Sequence, residues 1–315
     1  MKKQSVKCKF FPLPQGTPWG RGNEGDPLLL NLIIVQIFNG LILGMIYVLL
    51  AMGLSIVWGM MNIINFSHGL FFAIGAYLAY TIFSVTENFF MDMFLVPIAT
   101  GLIGMFLERT LLKRLYGLNI LYQILMTFGV ALMGRELIII LYGPIGKSFV
   151  PPDILSGTIS IGDLFFPKYR IFLLAVSILI TLGMWLFIEK TKYGSIIRAG
   201  TEDSEMVSAL GINISWVFTL IFGLSMAIAG FSGVLSAPIR GVEPMMGEAI
   251  LGICFAVVVI GGMGSFLGAI IGGIIVGLSQ SLVSLVMPSA SIIVIFLVMA
   301  LILLLKPRGL LGIRD

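Results

Sequence analysis

Apolar runs alternate with short polar gaps along the chain, at roughly 28–60, 63–85, 93–112, 119–142, 170–188, 213–239, 249–262, 266–287 and 290–305. The first two lie inside a stretch, residues 28 to 86, that holds no Asp, Glu, Lys or Arg. A helix needs about 20 apolar residues to cross a hydrocarbon core of about 30 Å, so this stretch alone has material for two or more passes. Every run is read as helix, because an open strand edge cannot be satisfied in lipid and the ten-residue alternation of a membrane barrel is missing. The pattern predicts an all-α, polytopic membrane bundle of about 8–10 elements, some of them interrupted or re-entrant.

Composition agrees. Hydrophobic residues make up 58% of the 315, mean hydropathy is +1.09, and charged residues reach only 11%, where a soluble domain has about 25%. The net charge of +4 does not indicate nucleic acid, because the basic residues are scattered through the gaps instead of forming one patch. They act as topology signals. The gaps at 109–118, 189–212 and 306–315 carry nine basic residues, against four in the alternating gaps at 86–92, 143–170 and 239–248, which places the first set in the cytoplasm. Residues 1–27, rich in Pro, Gly and charge, read as a disordered or non-native tail before a single transmembrane domain over 28–315. Two full passes between 28 and 85 would put that tail outside, against its five basic residues. A re-entrant element, three short passes, or a tail foreign to the protein would each remove the conflict.

One polar cluster interrupts the apolar opening. In NIINFSHGLFFAIGAY, Asn62, Asn65, Ser67 and His68, the last being the only histidine, fall within seven residues. Polar groups at membrane depth are costly unless partnered, and broken helices near the midplane recur in transport sites. Gly59, Gly69 and Gly75 permit such a break. The cluster is therefore a candidate for the translocation path, with helix capping as the plainer alternative. Catalysis is not supported: Ser67 and His68 point about 100° apart on a helix, and no carboxylate is near. Nothing suggests a metal or cofactor. Cys8 and Cys254 form no framework, and GPIGKS lacks the first glycine of a phosphate loop, having Leu141 there.

The cytoplasmic gap KTKYGSIIRAGTEDSEMVSALGINISWV predicts a helix of about ten residues, with Thr201 as N-cap, Glu202, Asp203 and Glu205 at its positive end, and Gly211 past its last turn. Met206, Val207, Ala209, Leu210 and Ile212 give it an apolar stripe, for a partner or for the chain's own spans. Late in the chain Gly264, Gly268 and Gly272 are spaced by four, as are Gly273 and Gly277, a spacing that permits close helix packing. Gly40 and Gly44 repeat it early. Arg135 and Glu136 sit in the outer third of a span, where snorkelling or pairing with other helices is expected. The outer gap holds GTISIG, a short β-like segment.

Three segments, GLILGMIYVLLAMGLSIVWGMMNIINFSHGLFFAIGAYLAY, RAGTEDSEMVSALGINISWVFTLIFGLSMAIAGFSGVL and FAVVVIGGMGSFLGAIIGGIIVGLSQSL, with the ending KPRGLLG, together resemble the membrane permeases of branched-chain amino-acid ABC transporters. The shorter, first-type subunit of the two-permease pair is the nearer match. The resemblance runs from about residue 36 to 312. It implies a non-enzymatic permease of a bacterial or archaeal cytoplasmic membrane, working with a second homologous permease, two cytoplasmic ATP-binding subunits and an extracytoplasmic solute-binding protein. It also implies that Glu202 to Gly211 is the coupling helix. Related permeases carry urea and short amides, which leaves the solute open. The other reading is an ion-coupled secondary transporter, disfavoured because the uncharged stretch offers no acidic site and Glu136, Glu243 and Glu248 all lie toward the outside. A channel is disfavoured for want of a charged ring or filter loop.

Overall fold

A computed structural model describes residues 27–162 and 164–312. The expectation for the amino-terminal tail falls outside them, save for Pro27, which opens the first helix. The described residues form eleven α-helices and one small hairpin. Eight helices are long and apolar enough to span a membrane.

The first helix, α1 (Pro27–Met61), is the axis of the bundle: 89% of its membrane window is buried, whereas only 6% of the last span's is. It ends at Asn62, whose positive φ of 52° suits asparagine better than most side chains, and whose N–H still reaches Trp58 O at 2.9 Å. The chain then leaves helical geometry, turns at Phe66–Ser67 and resumes as α2 (His68–Thr86). The His68 ring meets Leu50 O at 3.0 Å, eleven residues before the end of α1. That places the start of α2 about 16 Å inside from the cytoplasmic end of α1, at 1.5 Å per residue. The interruption is therefore a re-entry: the chain leaves α1 at the inner face, climbs back, and starts a new helix within the membrane.

Helices α3 (Phe89–Thr110) and α4 (Ile120–Tyr142) follow, joined on the cytoplasmic side by a 3₁₀ turn, Leu112–Leu115. The outer connection then carries β1 (Thr158–Ile161) and β2 (Leu164–Pro167), an antiparallel hairpin turning at Gly162. Phe166 of this hairpin packs edge-on against Phe38 of α1, with ring centroids 4.8 Å apart. Helix α5 (Lys168–Lys190) returns to the cytoplasm, where α6 (Lys192–Glu202) and α7 (Ser204–Ala209) lie before α8 (Ile214–Arg240) crosses outward. After a break at 241–245, α9 (Met246–Gly261) runs inward, and α10 (Phe266–Val286) and α11 (Ser291–Leu305) complete the bundle.

Two long helices, α1 and α8, are thus each followed by a break and a helix that begins inside the membrane, and the two units run in opposite directions. Small residues join them to their neighbours. A Cβ added at Gly277 would stand 2.3 Å from Gly44 Cα, and one at Gly273 would stand 2.6 Å from Val48 Cγ2, so α1 and α10 meet backbone to backbone. Gly268 and Gly272 face Gly261 O and Val257 O of α9 at 2.2 and 2.7 Å by the same measure. Gly264 sits in the turn between α9 and α10, at φ 79°, against Gly59. A second seam, unmarked in the sequence reading, joins α3 to α8: a Cβ on Gly101 or Gly104 would press on Ala227 and Gly223 or on Met226. At its inner end Glu108 accepts from Thr219 Oγ1 at 2.6 Å and from Tyr116, and Arg109 stacks on Trp216.

Candidate functional site

The re-entrant segment is held by side-chain bonds that its own sequence supplies. Asn65 Oδ1 accepts from the Ser67 N–H at 3.0 Å and from Ser67 Oγ at 2.6 Å, which closes the turn into α2. Thr127 of α4 accepts from the Phe66 N–H at 3.2 Å and lies 3.4 Å from Ile64 O. Asn65, Ser67 and His68 are wholly buried, whereas Asn62 is exposed at the cytoplasmic end of α1. The His68 ring nests against Gly53, whose hydrogen leaves room for it and for the Ser225 hydroxyl. His68 Nδ1 and Ser225 Oγ have no hydrogen-bond partner. Asn65, Ser67 and His68 therefore gather at the break with their side chains turned into the chain's own packing, and Asn62 stands apart from them.

What the break does build is a junction. Gly69 and Gly247, in the first turns of α2 and α9, touch through their backbones: a Cβ on Gly69 would lie 2.2 Å from Gly247 O, and one on Gly247 would lie 2.4 Å from Gly69 O. Two helix starts, each the positive end of its dipole, converge at membrane depth. Neither has a side-chain N-cap. Beside them opens a cavity of about 300 Å³, between α2, α4 and α9. Its walls are mostly apolar, with Phe66, Leu70, Phe128, Leu251 and Phe255 prominent. Arg135 and Glu248 stand at it, joined by a 2.7 Å ion pair, and Arg135 also binds Glu136 at 2.7 Å. The neighbours in sequence do meet after all, because the long guanidinium arm bends back to its own helix while its other end reaches α9. Sequence reasoning saw these charges but not the aromatic walls, which come from three separated segments; Phe128 and Phe255 carry no local signal beyond apolarity.

The cytoplasmic helix differs from expectation at its beginning. Thr201 is not an N-cap; it lies inside α6, with Oγ1 bonded to Ile197 O at 2.9 Å. Asp203 is the cap, its Oδ1 accepting from the Glu205 and Met206 N–H groups at 3.0 and 2.9 Å. Two acceptor sites on a carboxylate beside two free N–H groups outcompete a threonine that can bond back within its own helix. The helix is therefore six residues, with Glu202 at the end of α6 and Gly211 past its C-terminus at φ 85°. Val207 is buried, but Met206 and Leu210 are 60% and 74% exposed.

Two acidic residues escaped sequence reasoning. Glu108 is buried within the α3–α8 seam, and Asp92, in the first turn of α3, is wholly buried with neither carboxylate oxygen partnered. The spacing Asp92, Val96, Thr100, Gly104, Glu108, one every four residues, was the available signal for this buried face. Among the described residues no group of three or more His, Cys, Asp or Glu side chains is placed to hold a metal ion.

The family described as branched-chain amino acid transport system / permease component matches residues 36–305. The high-affinity branched-chain amino acid transport system permease protein BraD of Pseudomonas aeruginosa is 30% identical over 292 residues, covering 88% of this chain and 95% of that protein. The corresponding LivH protein of Escherichia coli is 29% identical, covering 88% and 94%. LivM of Escherichia coli, the other permease so named, is 29% identical over 85% of this chain but only 68% of its own length. No solved structure matches the chain significantly.

Proposed function

Because the chain belongs to the branched-chain amino acid transport system permease component family, and is accordingly a multi-pass membrane transport protein and not an enzyme, we propose that it is the shorter permease of an ATP-driven importer of branched-chain amino acids. In this reading it pairs with a second, homologous permease. Two cytoplasmic ATP-binding subunits supply the energy, and an extracytoplasmic solute-binding protein delivers the cargo. The observation that carries it is α7: Met206 and Leu210 project from the cytoplasmic face. Apolar side chains exposed in water on a capped helix are costly unless a partner covers them. The segment Glu202–Gly211 would dock in that partner, so that its movement is felt at Thr201, against Gly59, and along α1 to the re-entrant segment.

Asn65, Ser67 and His68 act, on this reading, as the brace that holds the re-entry beside the path, while Asn62 turns the chain at the end of α1. Glycines 264, 268, 272, 273 and 277 keep α9, α10 and α1 close enough to move together. The buried, unpartnered Asp92 is the one observation that favours an ion-coupled transporter instead. Uptake separates the two. Reconstituted with its candidate ATPase and permease partners and binding protein, the chain should import leucine only when ATP is present. Vigorous gradient-driven uptake by the lone chain, lost on Asp92→Asn, would overturn the importer reading.

A further inference from the structure

We propose that the cavity between α2, α4 and α9 is a resting place for a free amino acid in transit, with Arg135 taking the carboxylate and Glu248 the ammonium. This rests on the importer reading above and adds a site to it. The first support is charge at depth. Arg135 stands fifteen residues into α4, about 22 Å from its cytoplasmic start at 1.5 Å per residue. Its side chain is 22% exposed and that of Glu248 is 48% exposed. Ionised groups at this depth are kept from acyl chains and turned to a cavity or a wet path.

The second support is the match between the pair and a zwitterion. An amino acid inserted between Arg135 and Glu248 exchanges one ion pair for two, so neither charge is left bare. Arg135 keeps Glu136 as its second partner throughout, through Nε at 3.2 Å and an amino group at 2.7 Å. Glu248 sits in the first turn of α9, where the helix dipole steadies a carboxylate whether or not the ammonium is present. The third support is space. About 300 Å³ is the size of a small-molecule site, and Gly252 in its lining leaves room there, since an added Cβ would meet no atom within 4 Å. Phe66 and Phe255, with ring centroids 5.3 Å apart, offer an aliphatic side chain an apolar wall. The ligand class is therefore an α-amino acid with a compact apolar side chain.

The test uses the full assembly carrying Gly252→Cys, with native Cys8 and Cys254 replaced by alanine. Millimolar L-leucine should slow thiol labelling at residue 252 at least tenfold, while leucinol, which lacks the carboxylate, and N-acetyl-leucine, which lacks the ammonium, should not. Glu248→Gln or Arg135→Gln should abolish protection without changing the unliganded labelling rate or the co-purification of partners, which a purely structural ion pair would alter instead. Gly252→Leu, which places a branched side chain where a Cβ meets no atom within 4 Å, should cut ATP-driven leucine uptake at least tenfold. Gly183→Leu on α5, also free of neighbours within 4 Å, should leave it unchanged. If the parent assembly imports leucine while Glu248→Gln keeps full protection and Gly252→Leu keeps full uptake, the site is wrong and the importer reading stands. If the parent assembly imports no amino acid with ATP, both fall.

Discussion

Gly69 and Gly252 look alike in the sequence, yet they are opposite cases. The first leaves no room for even a methyl group, since its Cβ would lie 2.2 Å from the Gly247 carbonyl oxygen of another helix, and the second faces open space. Gly69→Ala should therefore lower the melting temperature in detergent by several degrees and reduce the monodisperse fraction, because backbone cannot retreat as a flexible side chain can. Gly252→Ala should do neither. At His68, substitution by Ala removes a buried hydrogen bond to Leu50 O, worth about 1 kcal/mol, and leaves a void beside Gly53. The expected outcome is a lower melting temperature with changed uptake kinetics in the surviving assembly. Unchanged kinetics would leave His68 as a brace alone.

At the scale of elements, α7 makes the sharpest claim. Asp203→Ala strips two first-turn N–H groups of their acceptor, at a cost of about 1 kcal/mol to that helix. Because α7 lies outside the bundle, global melting should move little while co-purification of the ATP-binding subunits weakens. Met206→Asp with Leu210→Asp should abolish that co-purification and leave the chain in the membrane. Persistence of the complex would mean that the exposed stripe is not the docking surface. The missed beginning of α7 has a local cause. Thr201 and Asp203 are both good caps, and only the continuation of α6 through Glu202, packed on Met60 by Gly200, decides between them.

At the scale of the whole molecule, stability depends on backbone approach more than on apolar bulk, since lipid tails are as apolar as the side chains they meet. Gly277→Val, which would drive a branched side chain into Gly44 Cα at 2.3 Å, should separate α1 from α10 and abolish a folded, monodisperse species in size-exclusion chromatography. The same change at Gly129, where nothing lies within 4 Å, should be tolerated. Much of this architecture was legible. The apolar runs correspond to helices to within a few residues, and the NIINFSHG segment marks the break, because hydropathy and polar interruptions are local properties of the chain. The α3–α8 seam was not read, although its four-residue spacing lay in plain view among larger apolar neighbours. Pairing of Arg135 with another helix was expected, but its partner Glu248 lies 113 residues on, beyond any local pattern.

By itself, then, the sequence determined that this is a helical membrane protein with a polar break after the first span and a short helix ending before Gly211, and it led to the expectation that the basic loops face the cytoplasm. Each follows from bilayer thickness, hydration of charge, or the hydrogen-bonding needs of a helix end. Only the tertiary structure decided that the break climbs back to Leu50, that α2 and α9 start against each other, and that Arg135, Glu248 and Phe255 stand around one cavity. These depend on which parts of the chain come into contact, 18 residues apart at Leu50 and His68 and 113 apart at Arg135 and Glu248, and that selection is made by packing, which no local pattern carries.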